Sequence, residues 1–235
     1  MSLISRWLDE WLNRCPSCGL RALAICDRCL FLLNETEFPK SSPRGLLPDP
    51  SGVPSPFVRR FLYDWDDRRP RSARVLRDVI LSAKGETSDA LVDFWTHEFA
   101  RRATVGGQLS RKRNWIVFAP PTRRHGSGLD HAARLAERLS RKTDSTLRFE
   151  DGVLEHAPSR RGFGSQKMKS RTDRSQVEFT IVPHMKQRIE SAEGFLLIDD
   201  VVASGSTAKA AWSALGKPKA FEVWAIAYRA RLGGG

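Results

Sequence analysis

The sequence predicts an α/β domain built on a parallel sheet, preceded by a small four-cysteine module. Three observations carry that expectation. Short, continuously apolar runs alternate with stretches of helical periodicity, as buried parallel strands alternate with crossover helices. All four cysteines fall between positions 15 and 29. Six of the thirteen prolines (Pro39, Pro43, Pro48, Pro50, Pro54 and Pro56) lie with Ser and Gly between the cysteines and the periodic region, and mark a boundary. The expected organisation is an N-terminal helix and cysteine module over residues 1–33, a linker or wrapping arm over 34–56, and the α/β domain over 57–235.

Within the first region, Ile4, Trp7, Leu8, Trp11 and Leu12 follow the spacing of an amphipathic helix, to pack on the module or the main domain or to bind a partner. Cys15-Pro-Ser-Cys18 and Cys26-Asp-Arg-Cys29 are two Cys-x-x-Cys turns, each presenting two thiolates about one metal-ligand span apart. Together they make a tetrahedral sulfur cage for structural zinc, and Gly19 suits the strained backbone after the first knuckle. Paired disulfides are disfavoured in a cytosolic chain, and a redox dithiol does not need the motif twice. With four protein ligands the zinc has no open position, so it organises the chain and performs no catalysis.

In the larger region, Val75, Leu76, Val79, Ile80 and Ala83 mark a helix. Ala90, Leu91, Phe94, Trp95 and Phe99 mark a second, capped near Ser88. Trp115–Ala119 reads as the first buried strand. It ends in Pro120, Pro121, Thr122, Arg123 and Arg124, followed by a glycine-bearing turn and a helix through Leu129, Ala132, Ala133, Leu135, Ala136 and Leu139. A second strand is expected within 147–154. Phe195–Ile198 is a third, Ala208–Leu215 a helix, and Phe221–Tyr228 a last strand. Trp95, Trp115, Trp212 and Trp224 read as core residues. The histidines (His97, His125, His131, His156, His184) show no ligand spacing and read as surface or packing residues.

Ligands of parallel α/β sheets bind at the carboxyl ends of the strands. That rule directs attention to Phe195-Leu-Leu-Ile-Asp-Asp-Val-Val-Ala-Ser-Gly-Ser-Thr207, where two adjacent acids follow an apolar strand and a loop of small residues opens a helix. Ser204, Gly205, Ser206 and Thr207 have the size and hydroxyls to wrap a phosphate with backbone N–H groups. Asp199 and Asp200 are acceptors for the two hydroxyls of a ribose, or holders of a hydrated magnesium ion. Ribose 5-phosphate matches the combination. An apolar strand ending in two Asp also resembles a Walker B element, but no Gly-x4-Gly-Lys-Ser/Thr occurs in the chain, which excludes a P-loop nucleotidase. The bland alternative is a structural turn capped by serine.

The 199–207 segment resembles the phosphoribosyl-pyrophosphate (PRPP) signature of type I phosphoribosyltransferases. With Cys15, Cys18, Cys26 and Cys29 in front, the chain from about residue 15 onward resembles the ComF family, phosphoribosyltransferase-like proteins associated with bacterial competence and DNA uptake. The resemblance implies a type I phosphoribosyltransferase-like sheet flanked by helices, with a flexible hood. It implies that Asp199 and Asp200 hold the ribose hydroxyls and that the Ala203–Thr207 loop holds the 5-phosphate. Pro120–Arg124 would be the pyrophosphate loop, with Arg123 and Arg124 neutralising the leaving group together with Mg²⁺. The hood would span 160–174, with Gln166, Arg171 and Arg174. Ala203 stands where many relatives have Thr and some transferases an Asp that acts as base. His125-Gly126-Ser127-Gly128 follows the loop where relatives commonly have Arg-Gly-Phe-Asn. The expected function is binding of PRPP or ribose 5-phosphate, with phosphoribosyl transfer and pyrophosphate release. The alternative is a non-catalytic PRPP sensor or a single-stranded-DNA-binding accessory protein.

Composition is compatible with either. The chain has 235 residues, 40% apolar and 28% charged, which excludes wholesale disorder and fibrous repeats. No apolar run approaches the ~20 residues of a membrane span. Asp9 and Glu10 interrupt the N-terminal apolar residues, so no secretory signal is expected and a cytoplasmic location is. The net charge of +12 points to a polyanionic or phosphorylated partner. Its excess is local: residues 101–174 hold 18 Lys and Arg against 7 Asp and Glu. Arg134, Arg138 and Arg141 in this region read as a solvated helix face.

Overall fold

The structure, a computed structural model, describes residues 14–20, 22, 24–34, 46–48, 54–83, 89–109, 112–121, 130–143, 147–157 and 177–229. The expected N-terminal helix, most of the proline-rich arm, Thr122, Arg123, Arg124 and the expected hood residues Gln166, Arg171 and Arg174 lie outside the described residues.

The elements run α1 (Asp27–Asn34), β1 (Leu47–Pro48), β2 (Val58–Trp65), α2 (Pro70–Ala83), α3 (Asp89–Val105), β3 (Trp115–Phe118) and α4 (His131–Lys142). They continue with β4 (Leu147–Phe149), β5 (Leu154–His156), β6 (Phe179–Ile181), a 3-10 turn at Pro183–Met185, α5 (Lys186–Glu190), β7 (Gly194–Val202), α6 (Ser206–Ala214) and β8 (Phe221–Arg229). Five strands, in the order β2-β8-β7-β3-β4, form a parallel sheet flanked by helices. β1 adds a short antiparallel edge beside β2.

Alternation along each strand divides the core into two layers. Trp115, Val117, Leu196, Ile198, Trp224 and Ile226 face α2, α3 and α4. Ile116, Phe118, Phe195, Leu197, Val223 and Ala225 face α6 and the small β5–β6 sheet. The cysteine module belongs to the first layer: Cys15, Cys29 and Leu33 are buried in the same cluster as Leu76 and Trp95. Leu46, from the arm, is buried there too.

Trp95, Trp115 and Trp224 are buried, whereas Trp212 is only partly covered, its indole N–H donating to the Pro218 carbonyl at 3.0 Å. Arg134 and Arg138 do not form a solvated face. Both reach across from α4 to Asp89 on α3, at 3.4 and 2.7 Å, and Arg138 also pairs with Asp93 at 2.6 Å. Arg141 does stay on its own helix, paired with Glu137.

Three expectations change. Residues 147–154 are not one strand: Asp151 and Gly152, the latter with φ +62°, turn the chain between β4 in the main sheet and β5 in the small one. β2 is an eight-residue parallel strand over a region assigned no strand from sequence. Finally, Asp199 and Asp200 do not follow the strand end but lie within β7, which stays paired to β8 as far as Val202.

Candidate functional site

The sheet has one topological switch point. From β3 the chain crosses through α4 to β4, on one side; from β7 it crosses through α6 to β8, on the other. Adjacent strands whose crossovers diverge leave a crevice at their carboxyl ends. Right-handed crossovers in opposite directions also place the two helices on opposite faces, as the core layers of α4 and α6 require. The segments singled out from sequence, Pro120–Pro121 after β3 and Asp199–Thr207 on β7, therefore border one crevice.

The acids occupy it because neighbouring strands end at different heights. β3 pairs with β7 only as far as Phe118 opposite Leu197, while β8 continues. Asp199 and Asp200 thus stand beyond the end of β3, half-buried and braced by local backbone. The Asp200 N–H donates to Asp199 Oδ1, and the Val201 N–H to Asp200 Oδ1, both at 2.8 Å. Such bonds restrict the rotamers of the two carboxylates.

The following loop turns through Gly205, whose φ of +71° and ψ of 13° lie in the left-handed region. Gly205 is also the N-cap of α6 and has no side chain to cap it. Ser204 Oγ accepts the Ser206 N–H at 3.4 Å, a serine contact at the helix start, and lies 3.1 Å from Ser206 Oγ. Beneath the loop, the Arg59 guanidinium rises from β2, its residue only 8% exposed, and stands 3.2 Å from where a Gly205 β-carbon would sit. Sequence reading passed over Arg59, since only the fold brings β2 under this loop.

Two histidines dismissed from sequence border the same crevice. His131 opens α4, held there by Asp130, whose Oδ1 accepts the Ala133 N–H at 2.9 Å. Its Nε2 lies 3.6 Å from Asp200 Oδ2, with both side chains mostly buried, 11% and 14% exposed. His156, at the end of β5, places Nε2 3.1 Å from the Pro121 carbonyl and packs its ring on Phe179. Neither contact has a local sequence signal, because each spans a long chain separation.

The second candidate site is the cysteine module. All four sulfurs lie within 4.8 Å of one another, Cys18 and Cys26 at 3.4 Å, and none is in a disulfide. A tetrahedral zinc with bonds of ~2.3 Å needs sulfurs ~3.8 Å apart, so the cluster fits a zinc ion. The first knuckle is closed by the Gly19 N–H donating to the Cys15 carbonyl at 2.9 Å, with Gly19 at φ +75°. Burial opposes ionisation of Cys15, but backbone N–H groups of Cys26, Cys18 and Ser17 outweigh it and bring that thiol down to about 7. Burial and the neighbouring sulfurs push Cys29 upward, and burial also raises Cys26. Four thiols this close resist becoming thiolates together without a cation, which is the electrostatic case for a metal.

Comparison with protein-family models and with curated proteins found no match. No helix among the described residues is long and apolar enough to cross a membrane.

Proposed function

We propose that this chain is a phosphoribosyltransferase-like protein that binds PRPP or ribose 5-phosphate in the crevice between β3 and β7. The observation that carries the reading is the meeting, at the switch point, of an acid pair and a small-residue helix start whose N-cap is Gly205. A sugar phosphate needs both parts: acceptors for its hydroxyls and donors for its phosphate. Asp199 and Asp200 take the hydroxyls; Ala203, Ser204, Gly205, Ser206 and Thr207 wrap the 5-phosphate, with the start of α6 adding its dipole.

The five-stranded parallel sheet is compatible with the type I phosphoribosyltransferase fold. In this reading residues 160–174, between β5 and β6 in the chain, are the hood. His156, at the end of β5, contacts Pro121 of the proposed pyrophosphate loop. The resemblance to the ComF family keeps DNA uptake as the biological setting and gives the zinc a structural role in joining the N-terminal module to the sheet.

The chemistry that follows is displacement at carbon 1 of the ribose. The bond to pyrophosphate breaks through an oxocarbenium-like state while an acceptor nucleophile bonds to carbon 1. The acids hold the sugar, Arg123 and Arg124 stabilise charge on the departing pyrophosphate, and the hood excludes water. Mg²⁺, arriving with PRPP, supplies further charge neutralisation there. At position 203 an alanine offers no side-chain base, so activation of the acceptor falls to another group.

The test is incubation with PRPP, Mg²⁺ and a panel of nucleobases, reading pyrophosphate release. Acceptor-dependent release establishes an enzyme. Binding without release marks the sensor alternative, and neither binding nor release contradicts the reading. Among the described tryptophans, Trp65, Trp95, Trp115 and Trp224 are core residues and do not offer a stacking face to DNA.

A further inference from the structure

The contact between His131 and Asp200 joins the two sides of the crevice. His131 sits on the first turn of α4, whereas Asp200 belongs to β7. Across this junction, the contact from α4 reaches Asp200. Asp200 is held at one oxygen by the Val201 N–H, and its other oxygen, Oδ2, faces His131 Nε2 at 3.6 Å. The Asp130 cap and the buried Ala132, Ala133 and Leu135 fix the helix that carries the imidazole.

We propose that His131 is a positioning residue for sugar binding: it orients the Asp200 carboxylate so that the acid accepts a ribose hydroxyl, and it couples the start of α4 to β7. The inference rests on the sugar-phosphate reading of the crevice and deepens it by giving the two acids unequal roles. Asp200 is the acid that His131 faces.

The experiment is a double-mutant cycle read by calorimetric titration with ribose 5-phosphate. His131→Ala should weaken binding by roughly 10-fold, the scale of the one hydrogen bond to a sugar hydroxyl that a misoriented Asp200 carboxylate would lose. In an Asp200→Asn background the same change should have almost no effect, whereas in Asp199→Asn it should keep its full effect. His131→Gln, which retains a donor, should recover much of the affinity.

Equal losses in both Asp backgrounds would assign His131 a role in holding α4 only and overturn the proposal, as would an unchanged affinity in His131→Ala. Should His131→Ala fail to fold, ring ¹⁵N spectra of unliganded protein decide the matter. Asp200→Asn should then move the His131 signals and leave those of His97 and His184 in place; unmoved His131 signals overturn the pairing. Wild-type protein that binds no ribose 5-phosphate sinks both this inference and the proposed function. Wild-type binding that Asp200→Asn weakens and His131→Ala does not sinks this inference alone.

Discussion

Arg59 stands directly under Gly205, its guanidinium nitrogen 3.2 Å from the place a β-carbon would take. Glycine is demanded there twice, by the left-handed backbone and by the arginine. Gly205→Ala should destabilise the fold by about 1–2 kcal/mol from the backbone alone, and more if Arg59 has to move. Urea denaturation measures it; an unchanged midpoint would mean that the loop does not hold this conformation.

Gly194 meets a different obstacle. A β-carbon there would lie 2.4 Å from the Trp115 ring, which is buried and has the Lys112 ammonium 4.3 Å above it. The ring cannot swing away easily, because Lys112 is itself pinned to Glu222 at 2.5 Å. Gly194→Ala should cost about 1–3 kcal/mol as an overpacked core does, without altering ligand affinity beyond that loss. Equilibrium unfolding beside a binding isotherm separates the two effects.

The cysteine cluster shares its core with the sheet, so metal loss should be felt across the domain. Metal analysis should find one zinc per chain, and chelation should lower the melting temperature of the full chain. Cys15→Ser and Cys29→Ser should be worse than Cys18→Ser, since the first two sulfurs are buried and Cys18 is exposed. A chain that takes up no zinc on reconstitution and melts unchanged with chelator would contradict the assignment.

Acid should weaken the α3–β2 contact through Glu98. Burial raises this carboxyl, but Arg101 and Arg102 outweigh it and hold the group below its ordinary value of 4.5. Arg102 in turn donates to the Leu62 carbonyl at 2.9 Å. A carboxylate depressed in the folded state stabilises the protein above its unfolded value, and that contribution is lost as pH falls through the folded one. Glu98→Gln should therefore flatten the decline in stability below about pH 4.5 while lowering stability at neutral pH. Chemical denaturation from pH 3 to 7 checks the sign; parallel curves would refute it.

How much of this was readable from sequence follows from where each element finds its partners. β3 and the Phe195–Ile198 and Val223–Tyr228 stretches of β7 and β8 are buried and show as apolar runs. β2 was hidden because Arg59, Arg60 and Asp64 interrupt its pattern. Their partners are tertiary: Arg60 lies 3.7 Å from Glu222, and Arg59 serves the loop at Gly205. β4 and β5 merged because each is only three residues long, although the four residues between them include the Asp151-Gly152 turn pair. The acid pair and the small-residue loop were legible as local motifs. His131 and His156 were not, since what gives them meaning is the switch point, which depends on strand order rather than on spacing.

The central claim is that the crevice between β3 and β7 holds a phosphoribosyl group on Asp199 and Asp200. Calorimetric titration of the full chain with PRPP and Mg²⁺ tests it most directly, alongside the Asp199→Asn/Asp200→Asn double variant. The account predicts saturable binding by the wild type and at least a 10-fold loss in a variant that still folds, each acid accounting for a hydrogen bond to a sugar hydroxyl. No binding, or equal binding by both proteins, would contradict it.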